Sequence, residues 1–219
     1  MRTMIIRSRA HLEAAIHESG ILPFFKNRVI GWSVEERIDH DLWFTNREGP
    51  WEWKGPLAAS GTCIYGKFIR GKAAFVSPEC FPDLANTRRD GLVWEEWEEE
   101  GRATQADRQI MHYLETHPFS ISSQIRHGTG LVKGYVAALT RLQMQTFVVI
   151  ADFRYNVSKN GIPYGWGNTV PEIAERFLPE NVLFPPVGRT PEESFKRLFH
   201  QLLSAMSQIN ETALWQELA

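Results

Sequence analysis

The residues of this 219-residue chain best suited to chemistry are a set of locally concentrated cations and one pair of amides. Between residues 119 and 170 stand Arg126, Lys133, Arg141, Arg154 and Lys159, against the single acid Asp152. Five bases and one acid make that stretch +4 in a chain whose net charge is −2, which leaves −6 on the remainder. A basic segment on an acidic remainder is the electrostatic footprint of a nucleic-acid-binding face. A second cluster, Lys67, Arg70 and Lys72, lies beside Tyr65 and Phe68. Cations interleaved with aromatics suit nucleic-acid contact, and they are equally ordinary at the tip of an exposed turn. The amides are Gln143 and Gln145, in Thr140-Arg141-Leu142-Gln143-Met144-Gln145-Thr146. Residues two apart in a helix diverge by about 200°. The two amides therefore converge only if helix gives way to strand between them, where alternate residues share a face.

Other chemistries find no support in the residue pattern. The seven histidines show no H-E-x-x-H or similar spacing, and His112 and His117 are five apart, off one helical face, so no metal site is expected. There is no G-x-S-x-G and no P-loop, so no cofactor is expected either. Cys63 and Cys80 lack C-x-x-C spacing, which reads as a pair of buried small hydrophobes in a reducing, cytoplasmic compartment. Residues 1–7 are too short and too charged for a signal peptide. No run approaches the ~18 apolar residues of a membrane span, so no membrane partner is expected. A net charge of −2 excludes a generally basic nucleic-acid coat, though not a local patch.

The elements that must position these groups follow from periodicity and caps. Residues 8–19 read as a helix capped by Ser8, with Leu12, Ala15 and Ile16 inward and Gly20 as the stop. Residues 22–56 read as irregular, apart from a short helix opened by the capping box Ser33 and Glu36. Six of the eight tryptophans fall between positions 32 and 97, marking an aromatic-rich half that packs or forms a pocket. Residues 62–77 predict two strands about an Arg70-Gly71 turn, and Ser77-Pro78 predicts a helix start. The acidic run at 94–100 reads as a solvated helix anchored by Trp94 and Trp97.

From Ala103 the periodicity becomes cleaner. Ile110, Met111 and Leu114 mark a helix ending before Pro118. A short serine-capped helix at 120–126, a turn at His127-Gly128-Thr129-Gly130, and a helix at 133–145 form a helix-turn-helix pattern. The last helix buries Tyr135, Ala138, Leu139 and Leu142, which leaves Lys133, Ala137, Thr140, Arg141 and Met144 for a DNA groove. The β-branched run at 147–151 and an Asn160-Gly161 hairpin add a wing, with Pro163 confined to a position needing no donor. The capping box of Thr190 and Glu193 opens a C-terminal helix with Phe195, Leu198, Phe199, Leu202, Leu203 and Met206 on one face. The expected fold is α+β: an aromatic-rich N-terminal region with a β-hairpin (1–100), a winged helix-turn-helix region (101–185) and a C-terminal helical segment packing on the core (186–219).

The stretches Trp51-Glu52-Trp53-Lys54-Gly55-Pro56, residues 65–72, Arg88-Arg89-Asp90-Gly91 and residues 140–146, with Tyr164-Gly165-Trp166-Gly167, carry a resemblance. Over roughly residues 22–177 the chain resembles bacterial proteins described as related to the alkylpurine DNA glycosylase AlkZ, of the winged-helix glycosylase superfamily. That resemblance implies base excision, in which the bond between an alkylated or crosslinked base and its sugar is cleaved. It also implies a catalytic Gln–apolar–Gln signature, which Gln143 and Gln145 match in letters. One glutamine would position water and the other would steady the charge developing on the sugar. The implied partner is double-stranded DNA, contacted through Arg126, Lys133, Thr140, Arg141, Arg154, Lys159, Lys67, Arg70 and Lys72. The competing reading of the residues is a non-enzymatic winged-helix regulator or protein-interaction module with a small-ligand pocket in the tryptophan-rich half.

Overall fold

A computed structural model describes residues 5–43, 48–161, 163–178, 188–206 and 209–218. Residues 1–4, Ile162 of the expected hairpin, and the expected boundary at 185 lie outside the described residues. The chain is a mixed α/β protein with eleven α-helices and two antiparallel sheets among those residues.

The first half is built around a small sheet. Helix α1 (Arg9–Ser19) starts where the Ser8 side chain accepts from the His11 N–H, and stops at Gly20, whose φ of 76° suits a residue without Cβ. Strand β1 (Ile21–Pro23) follows, then α2 (Val34–Arg37), capped by Ser33 as its sequence predicts. A 3₁₀ turn (His40–Leu42) leads to α3 (Pro50–Ser60). This helix corrects the expectation of irregular chain through residue 56. Pro50 sits in the first turn, where its missing N–H costs nothing, and the internal Pro56 loses one bond that burial of Trp53, Leu57 and Ala58 offsets. Strands β2 (Ile64–Ile69) and β3 (Lys72–Val76) form the expected hairpin about Arg70-Gly71, and the sheet order is β1-β3-β2. Helix α4 (Phe81–Arg88) begins three residues later than Ser77 would place it, because residues 78–80 form a turn and the chain enters the helix from Cys80.

The second half is mostly helical. Helix α5 (Trp94–Glu99) turns Trp94 and Trp97 inward against Phe147, with ring centroids at 5.1 and 5.5 Å, and leaves most of its acids in solvent. Helix α6 (Gln105–Thr116) buries Ile110, Met111 and Leu114, as its period requires. Helix α7 (Ser122–Gly128) is not serine-capped: the Gln124 side chain accepts the Ile121 N–H instead, and the helix runs into the expected turn. Gly128 is required there, since a Cβ would stand 2.1 Å from the Tyr113 ring. Helix α8 (Tyr135–Met144) buries Tyr135, Ala138, Leu139 and Leu142, the four residues its period places inward. Strands β4 (Val148–Val157) and β5 (Pro163–Ile173) pair from Val148–Ile173 to Val157–Pro163. Five residues connect them, so the Asn160-Gly161 signal marks part of a longer loop and not a two-residue turn. Gly161, with φ of 77°, returns its N–H to the Ser158 carbonyl.

The buried residues form two clusters, and β4 belongs to both. Phe147 and Val148 pack with α5 to α8, whereas Val149 and Ile150 pack with the first half. After the short helix α9 (Ala174–Phe177), helices α10 (Pro191–Ala205) and α11 (Glu211–Leu218) join the first cluster through Leu198, Leu202, Leu214 and Leu218. Asp83 of α4, 1% exposed, fixes α10 by accepting from Ser194 and pairing with Arg189 and Arg197. Cys63 and Cys80 are free and buried, and burial pushes the Cys63 thiol up to about 12.

Arg89 clasps the two halves. It is 1% exposed, donates to the Thr146 hydroxyl (3.0 Å) and carbonyl (2.7 Å), pairs with Glu175, and lies over the Phe147 ring at 4.3 Å. Thr146 is held at a φ of 64°, an uncommon conformation for a β-branched residue, at the point where α8 turns into β4. Arg89→Leu is expected to lower unfolding free energy by about 2–3 kcal/mol, through loss of charged hydrogen bonds to Thr146. Glu175 is 44% exposed and can rehydrate. A urea midpoint equal to that of the parent protein would contradict this.

Candidate nucleic-acid interface and base-sized cavity

Strand β2 reaches α8 because its ladder slips. Between Gly66 and Ile69 two residues, Lys67 and Phe68, face one on β3. A bulge of this kind leaves a backbone group outside the ladder and re-aims a side chain. Gly66 permits it, since a Cβ there would stand 2.6 Å from the Phe68 ring. The Lys67 N–H donates to Gln143 Oε1 of α8 at 3.1 Å, and the Lys67 Nζ donates to the Thr140 hydroxyl at 3.3 Å. Gln143, 3% exposed, is locked at its other end by donating from Nε2 to the Leu139 carbonyl at 3.0 Å.

The docking of β2 on α8 encloses a cavity of about 220 Å³, lined by Tyr65, Lys67, Tyr135, Thr140, Gln143 and Phe153 among others. It is smaller than the ~300–1,000 Å³ of drug-sized sites and suits one planar ring system. Tyr65 is 8% exposed, its ring meets Phe75 at a tilt (4.9 Å) and Phe153 edge-on (5.6 Å), and its hydroxyl has no hydrogen-bond partner among the described residues. Burial, then the neighbouring Tyr155, holds that phenol well above its usual pKa, so it stays protonated and available as a donor. Gln143 keeps one N–H and one lone pair beyond its two protein bonds. Aromatic rings along its wall, with a fixed amide and a hydroxyl, are the groups such a cavity offers to a planar ligand.

Of the larger depressions, two are lined by expected DNA-contact residues of the hairpin and of α8 and are less suited to a small planar ligand. One of about 400 Å³ is lined by Lys26, Arg28, Arg70 and Lys72, but α11 occupies two of these cations. Arg70 donates to the Gln216 carbonyl, and Arg28 donates to the Gln216 side chain and pairs with Glu217. The other, of about 640 Å³, is a shallow groove along the outer face of α8, with Val132 and Val136 exposed and Arg126 at its end.

The cations expected to face DNA divide by environment. Arg126, Lys133, Arg154 and Lys159 are exposed on α7, on the turn before α8 and on the β4–β5 hairpin. Lys72 and Arg70 are exposed at the β2–β3 tip. Lys67 and Thr140 face one another, and Arg141 turns to Asp107 of α6, at 2.6 Å, and to the Thr104 hydroxyl. Gln143 and Gln145 are not brought to one point. Gln145 continues the right-handed helical backbone as the C-cap, and the break falls one residue later, at Thr146. The Gln145 Oε1 is buried without a hydrogen-bond partner among the described residues.

Tyr135 and Phe153 at the cavity, and Lys54 beside it, were not singled out as site residues in the sequence. The available signal was Lys54 itself, a charge among the aromatics of α3. No group of three or more potential metal ligands occurs among the described residues. No helix among them is long and apolar enough to cross a membrane.

An α/β protein with an apolar, ring-lined cavity between a bulged hairpin and a helix is the class these features define. The chain belongs to the AlkZ-related family, whose model matches residues 6–219. No curated protein and no solved structure matches it.

Gln143→Leu is expected to destabilise the fold by about 1–2 kcal/mol in thermal or urea unfolding, because the Lys67 N–H loses its acceptor inside the protein. Tyr65→Phe is expected to change stability by less than about 0.5 kcal/mol, since no protein bond is lost. The opposite ranking would contradict these bonding assignments.

Proposed function

We propose that the chain is a winged-helix protein that binds double-stranded DNA and accepts an altered base in the 220 Å³ cavity, releasing it from its sugar. The observation that carries this reading is the cavity itself, together with membership of the AlkZ-related family. Helices α6 to α8 with the β4–β5 hairpin are taken as the winged helix. Arg126, Lys133, Arg154 and Lys159 contact phosphates, with Lys72 extending the track along the β2–β3 tip, where Arg70 is engaged by α11. Lys67, Thr140 and Arg141 act by holding the cavity wall and α8 in place.

In the reaction, water adds at C1′ of the sugar and the base departs, taking up a proton. Tyr65 and Gln143 fit the task of holding the base by its edge while Phe153 and Tyr135 cover its faces. Gln145 lies at the C-terminal end of α8 and contributes through the turn into β4. The two buried free cysteines fit a reducing, cytoplasmic setting.

A second reading draws on one observation, the exposure of Val132 and Val136 on the outer face of α8. Apolar side chains there favour a protein-contact module without catalysis. Base release separates the two readings.

Fluorescence anisotropy with duplex DNA across a salt series is expected to show binding that strengthens at low salt. Replacing any one of Arg126, Lys133, Arg154 or Lys159 by Ala should reduce the slope of log K against log salt by about 1. Duplexes carrying an alkylated purine should lose the free base, and Gln143→Ala or Tyr65→Phe should slow that loss at least tenfold. Undetectable binding at low salt would overturn the DNA assignment, and an intact base after long incubation at high protein concentration would overturn the catalytic one.

A further inference from the structure

The aromatic half contains an amine that the proposed base release does not use. Lys54, on α3, is 9% exposed. Its Nζ lies over the Trp51 ring at 4.7 Å and over the Phe153 ring at 4.8 Å. Among the described residues it has neither an ion-pair partner nor a hydrogen bond. Buried lysines are rare unless paired, because removing an ammonium from water is costly. The ring faces attract the cation, and Glu52 on the same helix favours it as well. Burial outweighs Glu52 and holds the amine below the usual lysine range. A lysine amine that has given up its proton is a nucleophile for carbonyl carbon, and a lowered pKa raises the share of the amine in that form.

Its position is informative. Phe153, whose ring covers the amine, is also a wall of the 220 Å³ cavity and contacts Tyr65 there. The amine is therefore separated by one ring from the space assigned to the base. Two residues along β4 from Phe153 stands Tyr155, an exposed phenol raised in pKa by burial with Glu52 and Asp152 contributing. A structural lysine needs none of this. Methionine would fill the same slot between the rings without the desolvation cost.

We propose that Lys54 is an amine nucleophile that captures an aldehyde at the edge of the cavity, the aldehyde being that of the ring-opened sugar left at an abasic position. The inference rests on the reading of the protein as a base-releasing enzyme for the origin of that sugar. The neutral amine nitrogen adds to C1′ of the open-chain sugar, and the carbonyl oxygen takes up the proton that nitrogen sheds. Water leaves as the C=N bond forms. No oxidant or metal is involved, and hydrolysis of the imine returns both partners.

The test uses the full chain and a duplex with a preformed abasic position, so that it does not depend on base release. Sodium cyanoborohydride reduces an imine to a stable secondary amine and fixes the protein to the DNA. The parent protein is expected to give an adduct on a denaturing gel, with the modified peptide containing Lys54. Lys54→Arg keeps a cation between the rings and should give at least tenfold less adduct. Lys54→Met should do the same, and thermal unfolding of both variants checks that they are folded.

No adduct from the parent protein overturns the proposal. So does an undiminished adduct in either folded variant, or modification mapped to another residue. A duplex with an alkylated purine, assayed in parallel for free base, separates the two ideas. Adduct without base release supports the amine and defeats the enzymatic reading, whereas base release without adduct defeats the amine alone.

Discussion

The contact on which the rest of the structure depends is the hydrogen bond from the Lys67 backbone N–H to the Gln143 side chain. It exists because β2 carries a bulge, and the bulge exists because Gly66 has no Cβ to strike the Phe68 ring. A regular ladder would spend the Lys67 N–H on β3 and leave Gln143 of α8 without its backbone donor. The bulge instead joins the two buried clusters, and in doing so it closes the ring-lined cavity. Arg89 performs the complementary task on the other side of α8, holding Thr146 in the conformation that turns the helix into β4. Together these two contacts set the direction from which β4 delivers Phe153 to the cavity and to Lys54.

The same geometry divides the charges. Lys67 and Arg141 serve the interior: one ties the hairpin to α8, and the other ties α8 to the buried Asp107. Arg70 and Arg28 hold the end of α11. The cations on α7, before α8 and on the β4–β5 hairpin are left in solvent. A single segment thus supplies both the joint between the halves and the charged surface, which explains why a near-neutral chain carries such a local excess of base.

Much of this order is visible in the residues. Caps such as Ser8, Ser33 and Thr190 and the stripes of α6, α8 and α10 are local signals, and each helix forms where those signals place it. The misses have nonlocal causes. Helix α3 looks irregular because its two prolines and glycine disfavour helix, and only the burial of Trp53 and Leu57 reverses that preference. Helix α7 begins at residue 122 because its cap comes from Gln124 three residues along and not from a serine. The candidate site was less legible. Gln143 stands out in the sequence, but its partner Lys67 is 76 positions away and meets it only through a bulge. Phe153 and Lys54 come together by strand crossing, which no spacing rule encodes.

The central claim is that the cavity between β2, α8 and β4 receives a single base. A crystal structure of the protein with a duplex carrying an alkylated purine, its glycosidic bond stabilised by fluorine at C2′, tests this most directly. The account predicts the alkylated base outside the helical stack, between the rings of the cavity and within hydrogen-bond distance of Tyr65 or Gln143. A base still stacked in the duplex, with the cavity facing away from the DNA, would contradict it.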